Sequence, residues 1–253
     1  MSKTLFLLSS AINPSLDNEN EKEKIRIQET FSSINSINVH YRDCDIWMLD
    51  SGKKEINRHY YKFFPANLRV INFWGDKNIQ HITDGKQEYV NKITRKYNLS
   101  EKHQKLVGDC YIKSLTESYV MKTVINQLSF SDYKNVIKLS GRYCLAPNHK
   151  KEFLDHPGKY TFSEAIPSNQ RLCPVDYQYL TYLWGFCSSL QEDVKETING
   201  VHSFLKESYD NAEVMDLEHS MFHNTKHKLD RIYNTKLMRL YARMGADSYI
   251  FVD

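Results

Sequence analysis

Four short apolar runs punctuate the first half of the chain, and each closes abruptly on polar residues. Leu5–Leu8 gives way to Ser9 and Ser10, and Ile46–Leu49 to Asp50-Ser51-Gly52. Leu68–Phe73 is followed by Trp74-Gly75-Asp76, and Val136–Leu139 by Ser140-Gly141-Arg142-Tyr143. Each reads as a strand, and the continuous run Leu5–Leu8 as a central parallel strand covered on both faces. Between them, Ile25, Phe31, Ile34 and Ile37 predict a helix over Glu21–Ile37. Lys54–Phe64 reads as a helix that stops before Pro65, because proline disfavours helical geometry in the residue before it. Asp109–Leu128, after Gly108, carries Tyr111, Leu115, Val120, Val124 and Leu128 on a helical period. Ser9 to Asn20 is polar, contains Pro14 and reads as a loop; Lys77 to Lys105 lacks regular apolar spacing and reads as mixed loop and short helix. Strands alternating with helices predict an α/β fold, a mostly parallel sheet with helices on both faces.

The second half is less regular. Lys159–Phe162 and Tyr179–Phe186 read as strands, and Gln191–Leu205 as an amphipathic helix. Asp216–Phe222 reads as a short helix or turn, Leu229–Met244 as a helix around Tyr233, Leu237 and Leu240, and Ser248–Val252 as a closing strand. The aromatic stretch with Tyr177, Tyr179, Tyr182 and Trp184 is read as core rather than as a sugar-stacking surface. With no repeat and no linker, the expectation is one domain over 1–253, with a first half to residue 147 and a smaller C-terminal lobe from 148.

Composition narrows the classes. Of the 253 residues, 41% are hydrophobic and 26% charged, as in ordinary soluble globular proteins. The net charge of +3 is too small to imply nucleic-acid or membrane binding. The five cysteines form no CxxC pair, which argues against a zinc cluster and for a reducing compartment. His223 and His227 have helical spacing but no third ligand, so a surface pair is expected. The apolar run near Met1 is too short to span a membrane and lacks the features of a signal peptide. A cytoplasmic protein is expected. There is no Walker A loop and no glycine-rich dinucleotide fingerprint.

The strand ends carry the candidate chemistry. Ligands of open α/β sheets bind outside the carboxyl ends of the strands. There Gly141 permits close backbone approach, and Arg142 offers a planar fork of donors suited to phosphate. A phosphorylated or otherwise anionic ligand is one reading; a tight turn with Arg142 in a structural ion pair is the other.

Taken in order, several segments share a pattern. Arg26-Ile-Gln-Glu-Thr30 lies on the first helix, Asp50-Ser51 ends the second strand, Ser114-Leu-Thr-Glu117 lies on a later helix, and Lys138-Leu-Ser-Gly-Arg-Tyr143 ends the fourth strand. Asp216-Leu-Glu-His219 follows. From residue 4 to 222 the chain resembles a group of GT-A type nucleotide-sugar glycosyltransferases found in bacterial surface-polysaccharide clusters and in large viruses. That group carries R-x-x-x-T, D-S, S-x-x-E, K-x-S-G-R-Y and D-x-E-H elements. The K-x-S-G-R-Y element is the most specific of these. The resemblance implies a GT-A-like fold, with a nucleotide-binding half to residue 147 and an acceptor-side half beyond it. It also implies transfer of a sugar from a nucleotide-sugar donor to a hydroxyl of a glycan or glycoconjugate acceptor.

On that reading Ser9, Ser10, Asp50 and Ser51 face the nucleoside, with Arg26 nearby. Ser114 and Glu117 border the donor, as do Ser140, Gly141 and Tyr143, while Lys138 and Arg142 face the diphosphate. Gly108 and Asp109 would open the helix near the sugar or ribose. Arg26 reads equally as a solvated helix residue, Asp50 as a turn residue, and Lys113–Glu117 as a surface salt bridge. Many GT-A enzymes hold a divalent metal with an Asp-x-Asp pair at a strand end. Ser140-Gly141-Arg142 stands there instead, and Asp43 and Asp45 precede a strand rather than follow one. No protein metal ligands are therefore assigned and no cofactor is required, though Mn or Mg with the donor is compatible. Glu218, then Asp216, are the candidate bases for the acceptor hydroxyl, with His219 as orienter or phosphate ligand. The alternative is an acidic helix cap. Rival classes are a sulfotransferase or phosphotransferase, sharing the anion-binding strand ends, and a non-catalytic carbohydrate-binding module.

Overall fold

The apolar runs assemble into a seven-stranded sheet in the order β10-β6-β9-β4-β1-β2-β3. The computed structural model describes residues 3–13, 19–149, 156–235, 239–244 and 248–252. β1 (Lys3–Ser10) lies between β2 (Cys44–Asp50) and β4 (Tyr133–Ser140), parallel to both, and β3 (Leu68–Asn72) extends the sheet beyond β2. β9 (Leu183–Cys187) runs antiparallel to β4 and to β6 (Tyr160–Ser163), and β10 (Ile232–Thr235) pairs parallel with β6. The fold is thus a mostly parallel α/β sheet, as the alternation predicts.

The strict period of two along β1 explains its central place. Leu5 and Leu7 enter one core with residues of α2 (Lys77–Tyr97), α3 (Glu101–Gln127), α4 (Gln191–Asp210) and α5 (Leu217–Thr225). Phe6 and Leu8 enter a second core with Ile27, Ile34 and Ile37 of α1 (Glu19–His40). A strand feeding two cores must be apolar at every position. A smaller three-stranded sheet joins β5 (Tyr143–Leu145), β11 (Leu240–Met244) and β12 (Ser248–Val252). The short β7 (Ile166–Pro167) and β8 (Tyr177–Gln178) pair with each other. Tyr179 and Trp184 are buried in the core, as expected, whereas Tyr177 is exposed.

Four expectations are corrected. Residues 77–97 form one continuous helix, α2, instead of mixed loop. Asp76 caps its start through the N–H groups of Asn78 and Ile79, and left-handed Asn98 ends it. Its buried face is Ile82, Tyr89, Val90 and Ile93, a helical stripe hidden in a polar sequence. α3 begins at Glu101, so Gly108 and Asp109 lie within it, and Asp109 pairs with Lys86 at 2.8 Å. Over residues 54–64 only a 3-10 helix, Arg58–Phe63, forms. Leu229–Met244 holds a 3-10 turn followed by β10 and β11 instead of a helix; pairing with β6 and β5 overrides its local periodicity. Leu237 lies outside the described residues.

Candidate active site

The carboxyl ends of β1, β2 and β4 bring Ser9, Ser10, Asp50, Ser51, Ser140 and Gly141 to one edge, because the three strands pair in parallel and in register. Ser9 Oγ donates to Glu117 Oε1 on α3 at 3.2 Å. The Ser10 hydroxyl lies 3.4 Å from that of Thr30 on α1, and the Ser51 hydroxyl donates to the Ser10 carbonyl at 3.2 Å. Gly141 donates its N–H to the Ser9 carbonyl at 2.7 Å. A Cβ on Gly141 would lie 2.8 Å from that oxygen, so the turn after β4 closes only over glycine.

Asp50 is fully buried. Its Oδ1 accepts the Ile12 N–H at 2.9 Å, while Oδ2 has no hydrogen-bond partner. Burial raises its carboxyl to about 6, against the pull of the backbone donors at Ile12 and Gly52. A buried carboxylate oxygen without a donor is costly, and the raised carboxyl reflects that cost.

Lys138 differs from its sequence assignment. It is 1% exposed and turns away from any diphosphate outside the edge. Its ammonium pairs with Glu117 and donates to the Ser140 hydroxyl at 2.9 Å and the Thr181 carbonyl at 2.8 Å. Burial favours neutral Glu117, but Lys138 and then Lys113 outweigh it and hold the acid below its usual range. Glu117 is therefore not the i, i+4 partner of Lys113; the Lys113 ammonium instead lies 3.8 Å from Glu218 Oε1.

The free cations stand at the rim. Arg142 is exposed and has no hydrogen bond or ion pair among the described residues. Arg26 reaches Glu29 at 3.1 Å. Burial, then the nearby charge of Arg142, lower the Arg26 guanidinium. The two guanidiniums lie close enough to repel each other and share no acid. The Tyr143 ring stacks on Tyr182 at 4.3 Å between centroids.

The start of α5 supplies the acids. Asp216 caps the helix by accepting the His219 N–H at 2.9 Å, and its Oδ1 also meets His219 Nδ1 at 2.6 Å. Its Oδ2 takes the Gln170 amide, and His219 Nε2 lies 2.8 Å from the Ser168 hydroxyl. Burial opposes a charged His219, but the bond to Asp216 outweighs it and holds the ring protonated up to about 9. Asp216 and His219 thus form a closed, saturated pair. Glu218 is more open: Oε1 accepts the Thr181 hydroxyl at 3.0 Å, and burial raises its carboxyl despite Lys113. A carboxyl raised by burial is a fit proton acceptor. Ser114 accepts the Leu217 N–H at 3.2 Å, so it ties α3 to α5.

The same carboxylates do not fit a resident divalent cation. Glu117 faces an ammonium, Asp216 an imidazolium, Glu218 has a lysine 3.8 Å away, and Asp50 sits apart. Among the described residues no group of three or more His, Cys, Asp or Glu is placed to hold a metal. Thr181, Tyr182, Ser168 and Gln170 were not legible as site residues; they lie in loops brought to the edge by the antiparallel β9 and the β7–β8 hairpin.

No protein-family model matches the chain, and no curated protein sequence matches it either. Among solved structures, core-mannan synthase A of Aspergillus fumigatus, in its Mn/GDP form, matches with a TM-score of 0.59 at 8% identity. The match covers 97% of this chain and 75% of that one. At that identity the likeness is one of fold, and the fold is GT-A-like: a Rossmann-like, mostly parallel sheet with helices on both faces. No helix among the described residues is long and apolar enough to cross a membrane.

Proposed function

We propose that the protein is a glycosyltransferase that moves a sugar from a nucleotide-diphosphate sugar to a hydroxyl of a glycan acceptor, in polysaccharide or glycoconjugate synthesis. One observation carries this reading. Lys113 and Tyr143 each feel the charge of both Arg142 and Glu218, so the exposed guanidinium and the buried carboxyl border one part of the strand-end edge. The GT-A-like fold supports it. Residues 1–147 supply the nucleotide side and 148–253 the acceptor side.

In this reading Asp50 lies beneath the nucleoside and braces the loop after β1 through the Ile12 N–H, with Ser9, Ser10 and Ser51 shaping the floor. Arg142 and Arg26 neutralise the departing diphosphate, and Tyr143 borders the donor. Glu218 removes the acceptor's hydroxyl proton as the oxygen attacks the anomeric carbon. Lys113 holds Glu218 in place. Lys138, Glu117 and Ser140 form the support beneath, and the Asp216–His219 pair fixes the helix start that presents Glu218. The cationic rim in place of an acidic pair favours a transfer with weak metal dependence.

Calorimetric titration with UDP, GDP, CDP and dTDP, each with manganese and with EDTA, tests the reading. Selective binding of one nucleotide, unchanged by EDTA, supports it. Binding that needs manganese overturns the cationic assignment, and binding of none overturns the transferase.

A further inference from the structure

A cleft of about 390 Å³ opens between α2, α3 and α4 and shares no lining residue with the strand-end edge. Its size and aromatic lining are those of small-ligand sites. The middle is a tyrosine wall: Tyr89 stacks on Tyr111 at 4.8 Å, and Tyr209 packs against both at 4.9 Å. The hydroxyls of Tyr89 and Tyr209 donate to the carbonyls of Glu213 and Met215 at 3.0 and 2.6 Å. The Tyr111 hydroxyl has no partner among the described residues. Gly85 leaves room for it, since a Cβ there would lie 2.7 Å away.

The two ends differ in charge. At one, the ammonium groups of Lys122 and Lys206 have no partner among the described residues, and His202 lies between them. The Ser118 hydroxyl lies 3.0 Å from the Leu115 carbonyl and 2.9 Å from His202 Nδ1. Burial, then the two lysines, keep this ring neutral, lowering it to about 4. At the other end Glu88 is paired with Lys92 at 2.8 Å, and Asp210, without a hydrogen bond or close ion pair among the described residues, feels the charge of the same lysine.

We propose that this cleft is a second binding site, for a sugar carrying a phosphate or carboxylate. The sugar ring lies against Tyr111, the half-buried member of the tyrosine cluster, and its anionic group sits between Lys122 and Lys206. Its hydroxyls donate to Asp210, meet the His202 ring and accept from Tyr111. A bare anion between the two lysines would leave Asp210 and the Tyr111 hydroxyl unpaired. A neutral sugar would leave both lysines unpaired. A ligand with hydroxyls at one end and charge at the other satisfies the whole cleft. The inference stands independently of the chemistry at the strand edge.

Calorimetry on the full chain with glucose 6-phosphate, glucuronate, glucose and inorganic phosphate tests it. Glucose 6-phosphate or glucuronate binds more tightly than glucose or phosphate, and the tighter of the two identifies the anion. K122E/K206E, with both exchanges on solvent-accessible side chains, weakens that binding by about tenfold or more, while R142A leaves it unchanged. Y111F, which keeps the ring, weakens it less. Three outcomes overturn the site: no binding by either charged sugar, equal binding of phosphate (an adventitious ion only), or loss in R142A but not in K122E/K206E.

Discussion

On the rim, Arg142 stands exposed without a partner among the described residues, and Arg26 reaches only Glu29. One layer down, Lys138 has a carboxylate, a hydroxyl and a carbonyl around its ammonium. The same division separates the acids. Asp216 is saturated by His219 and Gln170, whereas Glu218, two residues along the same helix, is raised and faces Thr181 and Lys113. Neighbouring residues of like charge thus have opposite surroundings. A charge closed off by its own fold holds geometry; a charge left open is available to a substrate.

The comparison breaks most sharply at Lys138. Lys138→Met leaves the buried Glu117 without its ion-pair partner and with only the weaker charge of Lys113, and urea unfolding should show a loss of about 3 kcal/mol. Adding Glu117→Gln should recover part of it, a coupling that a double-mutant cycle reads directly. Glu218→Gln should act on the other layer: turnover falls by about a hundredfold or more, while nucleotide binding and the unfolding midpoint stay near those of the parent. If stability collapses and turnover survives, Glu218 belongs with the supports.

Protonation offers a subtler separation. His219 is raised from 6.5 to about 9 in the fold, so its contribution is fully present below pH 6.5 and is lost as pH rises through about 9. Asp50 is raised from 3.8 to about 6. Its protonated form suits the fold better than the charged one, so stability declines as pH rises from 3.8 to about 6. Urea midpoints followed across both windows should fall in each, and Asp216→Asn should flatten only the alkaline one. The smallest effect is expected at Arg142. Its replacement by alanine should weaken nucleotide-diphosphate binding by about tenfold with no measurable change in stability, since nothing in the described structure leans on it.

How much of this was legible in the sequence follows from how local each signal is. β1, β2 and β4 could be read because strands buried on both faces carry apolar runs, β3, a half-exposed edge strand, through Leu68, Val70 and Ile71 alone, and their polar terminators mark the edge. Ser9, Asp50 and Ser140–Arg142 were therefore placed correctly at the strand ends. α2 was missed although Asp76 and Asn98 bracket it, because Ile82, Tyr89, Val90 and Ile93 are diluted by lysines and asparagines. β10 and β11 were misread because strands that pair with distant partners need carry no alternation of their own. The burial of Lys138 was illegible for a related reason: Thr181 and Glu117, which enclose it, are far away in sequence. A lysine beside a serine and an arginine looks like a phosphate ligand until the chain folds over it.

The turn that carries Arg142 is a seam between two sheets. β4 before it belongs to the seven-stranded sheet, and β5 after it pairs with β11, with Leu240 opposite Leu145 and Ala242 opposite Tyr143. A nascent chain emerging from the ribosome can lay down β1, β2, β3 and β4 early, but β5 gains its partner only after residue 240 has been made. The rim guanidinium is thus fixed on one side from the first half of synthesis and on the other only once β11 has docked. Truncation before β11 would leave a nearly full large sheet with an unfinished seam at the exposed Arg142.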